Sequence, residues 1–259
     1  MLPLWCLGSL SWAKGVNPDS LRQATWQQFQ GQYGPEWQIR WGKYTGLPES
    51  ILGDFLPPSR GTPDEIARSF LQAHHQLFGI ADVNRDLRLD RERFSERGGT
   101  RLQYQQYYQG IPVLYSGYLV AVHTNGSIYY LSGDYYPDLT VDTQPTLTPT
   151  SALAIIQADL AGASLQILSE PQISIYVSSE QDSLRYHLVY QTQVQGAKID
   201  EAWEYLVDAH TGHIHRKVSL IEHINGSGSV YVTNPNHGSP VTRTLHRLRD
   251  LSPPKVRRG

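Results

Sequence analysis

Residues 62–79 read TPDEIARSFLQAHHQLFG, and they mark a helix more clearly than any other stretch of the chain. Thr62 stands at the N-cap position, Pro63 at the first helical position, and Glu65 three residues after the cap. At that spacing the Thr and Glu side chains satisfy backbone amides reciprocally. One face then carries the apolar residues Ile66, Phe70, Leu77 and Phe78, and Gly79 offers a left-handed residue at the end. The pattern predicts an amphipathic helix.

The stretch after this helix is typical of antiparallel strands. Residues 118–123 and 127–131 flank Asn125 and Gly126, a pair that favours the tight turn of a β-hairpin. Tyrosine is also abundant, with 16 residues against 5 phenylalanines, and it suits strands that are half exposed. We therefore predict a first module at residues 61–140, in which one helix packs on an antiparallel sheet.

The same plan repeats after a linker rich in Pro and Thr at residues 137–148. Thr148 and Pro149 open a second helix, which Gly162 is placed to close. The helix carries apolar Leu153, Ile156 and Leu160, and alternating strand patterns follow at 173–177, 184–190 and 203–207, with Arg185 and His187 on the opposite face of the second pattern. These residues predict a second module at 148–222. Two consecutive modules of this kind indicate an α+β protein.

The two ends of the chain show other patterns. Residues 1–13 (MLPLWCLGSLSWA) are apolar and end in a small-x-small pattern, so we expect a signal peptide, incomplete at its start, that is cleaved after Ala13. An unstructured apolar N-terminus is the alternative. Residues 14–60 lack a sustained period and are expected to form an irregular extension that packs on the first module. We interpret residues 223–259 as a linker that ends in a basic tail.

The composition excludes several classes of function. The formal net charge of -2 gives no electrostatic basis for binding nucleic acid or an anionic membrane. Cys6 is the single cysteine, so neither an intramolecular disulfide nor a cysteine zinc site can form. The apolar residues 1–13 are too few to span a bilayer. We therefore expect a secreted or extracytoplasmic protein, exported from a bacterium, with no membrane span, no nucleic-acid partner and no cofactor.

Two stretches resemble known propeptide sequences. Residues 106–113 (QYYQGIPV), with a glycine at the later hairpin, resemble the fungalysin/thermolysin propeptide motif, and residues 203–212 (WEYLVDAHTG) are similar to a PepSY domain. The matching residues are Gln106, Tyr108, Gly110, Pro112, Val113 and Gly126 in the first stretch and Trp203, Tyr205, Val207, Asp208 and Gly212 in the second. The chain is thus similar to the propeptide region of a thermolysin- or fungalysin-type zinc metalloprotease that lacks the catalytic domain.

This resemblance implies a non-catalytic partner of a protease. Propeptides of this family template the folding of the catalytic domain and block its cleft, so the implied partner is the catalytic domain of a thermolysin-like metalloprotease, in cis or in trans. None of the ten histidines begins the His-Glu-x-x-His motif that supplies two zinc ligands and a general base, so we expect no catalytic or metal-binding residues. Residues 226–231 (GSGSVY), with Asn234 and Pro235, are similar to the segment that joins propeptide and mature enzyme in fungalysin-like bacterial proteases. This resemblance makes residues 223–259 a linker to a missing catalytic domain, and we expect processing near Glu222, Asn225 and Gly226.

Two other interpretations of function stay open. The chain is either a stand-alone secreted or envelope module that regulates other proteins, or a relic without a present role. Residues 253–259 (PPKVRRG) do not resemble the family, which favours a truncated protease precursor. A neighbouring reading frame that encodes His-Glu-x-x-His would support truncation, and its absence would favour the stand-alone module.

His210, His213 and His215 raise the question of a metal site, because imidazole is a common zinc or copper ligand. Asp208 is the only acidic residue fixed nearby, and the stretch coincides with a predicted hairpin turn. We therefore interpret these histidines as exposed residues of a turn and a strand rather than as metal ligands.

Tyr107, Tyr108, Tyr115 and Tyr118 form a cluster in the sequence. Tyrosine gives a large contact area with a polar tip, which suits a surface that binds another protein. Ordinary packing within the predicted sheet explains the same residues equally well. The two interpretations predict different burial for these side chains.

Overall fold

The computed structural model describes residues 18–95, 98–161, 164–181, 183–196, 201–221, 224–230 and 241–248. The predicted signal peptide at 1–13, Gly162 and Glu222 lie outside the described residues. The helices are α1 (Pro18–Tyr33), α2 (Pro63–Ala73), α3 (Val83–Asp86) and α4 (Pro149–Asp159). The strands are β1 (Gln38–Trp41), β2 (Pro48–Leu52), β3 (Leu87–Ser95), β4 (Gly99–Tyr108), β5 (Ile111–Val122), β6 (Ile128–Asp134), β7 (Gln166–Glu180), β8 (Ser183–Gln195), β9 (Ala202–Asp208), β10 (Ile214–Ser219), β11 (Ile224–Val230) and β12 (Val241–Leu248).

The chain divides into two compact units. The first comprises Met1–Val141 and Ile175–Tyr186, and the second comprises Asp142–Ser174 and His187–Gly259. Each unit contains helix and antiparallel strand, so the predicted α+β class is confirmed. The finer module bounds of 61–140 and 148–222 stay predictions.

The first unit is built on an antiparallel sheet with the strand order β1-β2-β6-β5-β4-β3. Helix α2 packs on β4 and β5. The core between them contains the fully buried side chains of Leu71, Phe78, Leu102, Tyr104, Tyr118 and Leu131. Within the same unit, Val113 of β5 pairs in parallel with Ile175 of β7. Alternating inward residues on β4 and β5 therefore provide most of the apolar surface that α2 covers.

The predicted capping box at the start of α2 is present. The Thr62 hydroxyl accepts a hydrogen bond from the Glu65 amide at 3.3 Å, and the Glu65 carboxylate accepts one from the Thr62 amide at 2.8 Å. Burial of Ile66 and Phe70 follows from their spacing on one face. The local sequence thus sets both where the helix begins and which face it buries.

Helix α2 ends at Ala73, six residues before Gly79, so the predicted helix is too long. The segment from His74 to Gly79 forms turns, which bring Leu77 and Phe78 into the core by a route other than the helix face. Gly79 does adopt a positive φ of 66°, and a side chain there would press against Leu47. The glycine therefore ends the turns rather than the helix.

A buried tyrosine fastens α2 to the sheet. The Tyr104 hydroxyl of β4 donates a hydrogen bond of 2.7 Å to the Asp64 carboxylate in the first turn of α2. Arg68, one turn later, lies 3.1 Å from the same carboxylate and 5.2 Å from the Tyr104 ring centroid. Burial and the hydrogen bond to Asp64 raise the pKa of Tyr104, so the phenol stays a donor. We call this arrangement a tyrosine–carboxylate tie.

The second unit repeats the arrangement of helix and antiparallel strands. Strand β9 lies between β8 and β10 and pairs antiparallel with both, and β7 lies next to β8. Helix α4 begins at the predicted cap, where the Thr148 hydroxyl accepts a hydrogen bond from the Ser151 amide at 3.1 Å. Ala152 and Ile156 are its buried residues, whereas Leu153 and Leu160 are partly exposed. The predicted second helix is therefore confirmed, with a narrower buried face than expected.

A second tyrosine–carboxylate tie fastens α4 to β9. The Tyr205 hydroxyl donates to the Asp159 carboxylate at 2.7 Å, and the Lys217 ammonium of β10 lies 2.7 Å from the same oxygen. Hydrogen bonds from Lys217 and Tyr205 lower the pKa of Asp159, and burial raises the pKa of Tyr205 to about 12. The two units thus use the same chemistry, with Lys in place of Arg as the cation.

Residues 18–52 are more regular than the predicted irregular extension. Three aromatic side chains of helix α1 pack together. The ring centroid of Phe29 lies 5.2 Å from that of Trp26 and 4.8 Å from that of Tyr33. Strand β2 pairs with β6 and buries Ile51. Phe29 belongs to the same core as α2, and the bounds of the extension at 14–60 stay a prediction.

The predicted linker at 223–259 also differs from the structure. Strands β11 and β12 pair antiparallel, with Gly226 opposite Leu245 and Gly228 opposite Arg243. Part of the predicted linker is therefore a pair of strands, and its role as a linker stays a prediction. A glycine pattern alone does not show whether a partner strand is present later in the chain.

Gly117 is expected to tolerate a side chain less well than Gly110. Gly117 has a φ of 121°, and an added Cβ would clash with the Tyr104 carbonyl oxygen across the strand pair. Gly110 has a φ of 84° in the two-residue β4–β5 turn, with open space around it. Gly117→Ala should lower the free energy of unfolding by more than about 2 kcal/mol, and Gly110→Ala by about 1 kcal/mol. Urea unfolding measures both values, and equal losses would contradict this packing.

Candidate functional site

The end of β9 and the turn after it are organised by one carboxylate. Asp208 is the last residue of β9, and one of its oxygens, Oδ1, accepts hydrogen bonds from the amides of His210 (3.0 Å) and Thr211 (2.8 Å). The Gly212 amide donates to the Asp208 carbonyl at 3.0 Å, and the Asp208 amide donates to the His213 carbonyl at 2.8 Å. Asp208 therefore holds the turn with Oδ1 and keeps Oδ2 for other partners.

Two histidines from neighbouring strands approach Oδ2. His215 Nε2 of β10 lies 3.0 Å from this oxygen, and His187 Nδ1 of β8 lies 3.8 Å from it. The two imidazole rings are 4.0 Å apart at their centroids and inclined by 43°. The side chains are 21%, 10% and 13% exposed for His187, Asp208 and His215, so the group is largely withdrawn from solvent. We call these three side chains the His–Asp–His cluster.

The Asp208 carboxylate is ionised across the physiological range. Burial acts to raise its pKa, but the hydrogen bond from His215 and those from the Thr211 and His210 amides lower it to about 2. A carboxylate with two imidazoles is able to hold a divalent metal ion or to share protons. In the described part of the chain, this is the one group of three His, Cys, Asp or Glu side chains whose ligand atoms converge.

The structure separates the three histidines that the sequence suggested. His210 turns away, with Nδ1 3.1 Å from the Thr146 hydroxyl and Nε2 3.3 Å from the Asp142 carbonyl. His213 is exposed, and its ring centroid lies 5.0 Å from that of His215. His187 was not connected by the sequence with the other members of the His–Asp–His cluster. Its place opposite the apolar face of β8 was visible in the alternation, but its proximity to His215 depends on strand order.

The predicted PepSY-like residues on β9 have structural roles in the unit. Tyr205 forms the tie to α4, and Val207 is fully buried. Trp203 is partly buried, with the Lys217 ammonium 4.8 Å from its ring. Gly212 has a φ of 77°, and a Cβ there would press against Ile155 of α4. Both its conformation and its closeness to the helix therefore require glycine.

Gln106 joins two segments of the first unit. Its side-chain amide donates to the Tyr136 carbonyl at 2.8 Å, and its side-chain oxygen accepts from the Tyr136 amide at 3.0 Å. Gln106 is 2% exposed, and these two contacts use both the donor group and the acceptor oxygen of its buried side-chain amide. Val113 is likewise fully buried. Both predicted residues thus act within the unit.

The remaining residues of the predicted octet lie at the β4–β5 turn. Tyr108 and Pro112 are half-buried there, and Gly110 is exposed. The adjacent Gln109 shares the positive φ that a two-residue hairpin turn requires. These residues are accessible, in contrast to Gln106 and Val113.

The predicted hairpin at Asn125 and Gly126 is confirmed between β5 and β6. Gly126 has a φ of 86°, and its amide donates to the His123 carbonyl at 2.9 Å. Its carbonyl accepts a hydrogen bond from the Ser59 amide, and a Cβ would clash with the Ser59 carbonyl oxygen. Gly126 thus permits the segment before α2 to lie against the hairpin.

The tyrosine cluster divides between core and surface. Tyr118 is fully buried and donates to the Phe78 carbonyl at 3.3 Å, so sheet packing explains it. Tyr107 is half-buried beneath Arg88, at 4.0 Å from the guanidinium carbon to the ring centroid. Tyr115 is 56% exposed and has a positive φ of 58°. Only part of the cluster is therefore available to a partner.

Two of the three residues of the predicted processing region are described by the structure. Asn225 and Gly226 belong to β11, whereas Glu222 lies outside the part of the chain that the structure describes.

No helix in the described residues is long and apolar enough to cross a membrane.

Two known families are similar to parts of this chain. The family described as Fungalysin/Thermolysin Propeptide Motif matches residues 85–135. The family described as Peptidase propeptide and YPEB domain, or PepSY, matches residues 146–216. The first match covers β3 to β6, and the second covers α4 to β10 with the His–Asp–His cluster. Both matched families are propeptide families, and neither is a catalytic domain.

Curated proteases are also similar to this chain. A thermolysin of Alicyclobacillus acidocaldarius is 26% identical over 226 residues, which is 83% of this chain and 38% of that protein. A bacillolysin of Brevibacillus brevis is 22% identical over 201 residues, which is 74% of this chain and 38% of that protein. This chain therefore spans about 38% of the length of these relatives.

A solved structure of the Bacillus megaterium YpeB C-terminal domain is also similar, at 12% identity, over 80% of this chain and 99% of that chain. The TM-score of 0.37 is too low to carry a conclusion about fold or function. The similarity to propeptide regions therefore rests on the two family matches and the curated relatives.

Gln106→Leu is expected to destabilise the first unit by about 2 kcal/mol or more. The variant removes both hydrogen bonds to Tyr136 and leaves the amide and carbonyl of that residue without them. Gln103→Leu is the matched control, since Gln103 lies on the other face of β4 and is half-buried, and its cost should be about 0.5 kcal/mol. Chemical unfolding of both variants checks the difference, and similar losses would show that the Gln106 hydrogen bonds contribute little.

Proposed function

We propose that this chain, whose residues 85–135 and 146–216 match two propeptide families, binds a thermolysin-like catalytic domain, inhibits it and assists its folding. The observation that carries the proposal is the succession of the two propeptide families at 85–135 and 146–216 within one alignment to thermolysin over 226 residues. The role is non-catalytic. The partner is joined in the same chain or supplied separately.

Inhibition and assisted folding follow from one binding surface. A catalytic domain with many long-range contacts folds slowly, and a partner that binds only its native-like state lowers the free energy of that state. If the surface bound is the substrate cleft, the same contact excludes substrate. One interface therefore accounts for both activities.

We place part of this interface at the β4–β5 end of the first unit, formed by Tyr108, Gly110, Pro112 and Tyr115. These residues are exposed or half-buried, whereas Gln106 and Val113 of the same motif are buried. Tyr115 supports this placement because it is 56% exposed and has a positive φ of 58°, a conformation that is strained for such a side chain and is found mostly at functional sites. Tyrosine is also enriched where interfaces concentrate binding energy.

The proposal includes an extracytoplasmic location and processing near Glu222, Asn225 and Gly226. Support for the location comes from the propeptide families and from the apolar residues 1–13. Because Asn225 and Gly226 lie in β11, which pairs with β12, cleavage there requires the strand pair to open.

Purified chain is expected to inhibit a thermolysin-like catalytic domain at about 10 μM or below. It should also raise the refolding yield of the denatured domain several-fold when present during dilution from denaturant. Peptide hydrolysis measures both effects, and a zinc protease of another class serves as the specificity control. Absence of inhibition together with an unchanged refolding yield would refute the proposed function.

A pair of variants tests the interface itself. Tyr115→Ala should weaken inhibition about tenfold or more, whereas Phe94→Ala should leave it unchanged. Phe94 is a matched control, since it is 71% exposed and pairs with Thr100 at the opposite end of β4. Equal inhibition by both variants would place the interface elsewhere without affecting the proposed function.

A further inference from the structure

The proposed function gives no role to the three side chains of the His–Asp–His cluster. Three adjacent strands, β8, β9 and β10, each contribute one of its members, His187, Asp208 and His215. The nearby contacts of α4, Tyr205 and Lys217 belong to the tie described above and do not include these side chains. The proposed inhibition requires no such group. The cluster therefore calls for its own explanation.

The donor atoms are spaced as ligands of one small cation. All three lie within 4.8 Å of one another, and two of the separations are 3.0 and 3.8 Å. Zinc bonds to His nitrogen and carboxylate oxygen are about 2.0–2.2 Å, so neighbouring ligands of a tetrahedral site are about 3.3–3.5 Å apart. Shifts of a few tenths of an ångström to about one ångström bring all three atoms to that spacing.

The carboxylate is already oriented for this task. Asp208 Oδ1 accepts the amide hydrogen bonds of the turn, which fixes the carboxylate plane and directs Oδ2 towards the two imidazoles. Such contacts from outside the ligand set orient ligands in known metal sites and strengthen binding.

A tetrahedral site needs a fourth ligand, and two sources lie near the cluster. His213, whose ring centroid lies 5.0 Å from that of His215, is exposed at the rim of the cluster. Water is the other source of a fourth ligand, since the three side chains keep 10–21% of their surface exposed. The donor set of two imidazoles and one carboxylate is suited to zinc rather than to calcium or magnesium, which prefer oxygen ligands.

We propose that His187 Nδ1, His215 Nε2 and Asp208 Oδ2 form a binding site for a divalent transition-metal ion of the zinc class. Such an ion joins β8, β9 and β10 at one point and stabilises the second unit. The site is independent of any protease partner, so it stands or falls separately from the proposed function.

The first test measures binding of zinc chloride to the purified chain by isothermal titration calorimetry, after treatment with a chelator. One ion per chain is expected, with binding that weakens as the pH falls and the imidazoles become protonated. Cobalt chloride in place of zinc is expected to give the intense visible absorption of a four-coordinate site. Absence of saturable binding with either ion would overturn the proposal.

Variants then assign the ligands. His187→Gln and His215→Gln should each weaken zinc binding about tenfold or more. Asp208→Asn keeps an oxygen for the turn amides and should weaken binding similarly. His210→Gln is the matched control from the same turn, because His210 contacts Thr146 and Asp142 instead, and its affinity should stay within about twofold of the parent. Retained affinity in both histidine variants of the cluster, or an equal loss in the control, would overturn the assignment.

A spectroscopic measurement on the unchanged chain avoids any variant that fails to fold. Nitrogen-15 NMR of the imidazoles distinguishes Nδ1 from Nε2. Zinc should shift the resonances of His187 Nδ1 and His215 Nε2 and leave those of His210 unmoved. Shifts confined to other histidines would contradict the proposed ligands.

Discussion

The tyrosine–carboxylate tie is the interaction on which both units depend. In each unit a fully buried tyrosine of a central strand donates a 2.7 Å hydrogen bond to an aspartate of the covering helix, and a cation lies beside the same carboxylate. A buried phenol without a partner costs free energy, and a charged acceptor gives a stronger hydrogen bond than a neutral one. Tyr104 and Tyr205 therefore fix both the distance and the rotation of α2 and α4 on their sheets.

The tie also positions the residues of the two proposed sites. On β9, Tyr205 is fastened to α4 three residues before Asp208, which in turn orders the following turn and meets His187 and His215. On β4, the corresponding Tyr104 precedes Gln106, whose contact with Tyr136 holds the strand beside the chain that leaves β6. The accessible β4–β5 turn follows directly. A surface that keeps its shape before binding is what an inhibitor requires, because little conformational entropy is then lost in the complex.

Features set by neighbouring residues were predictable, and features set by strand order were not. The Thr62 capping box and the Asn125–Gly126 hairpin are local, and the structure contains both. Helix α1 was missed because Trp26, Phe29 and Tyr33 recur at helical spacing among glutamines without a recognisable cap. His187 was missed because 28 residues separate it from His215 in sequence, and only the order β8-β9-β10 brings them together. The sequence alone therefore directed attention to His210, which the turn directs elsewhere.

Double-mutant cycles across the two ties test the central claim most directly. Asp64→Asn with Tyr104→Phe, and Asp159→Asn with Tyr205→Phe, isolate each helix-to-strand hydrogen bond in urea unfolding of the purified chain. The account predicts a coupling free energy of about 1 kcal/mol or more in both cycles, since each hydrogen bond involves a charged acceptor and a buried donor. Additive effects within about 0.3 kcal/mol in both cycles would show that the helices are held on the sheets by apolar packing alone.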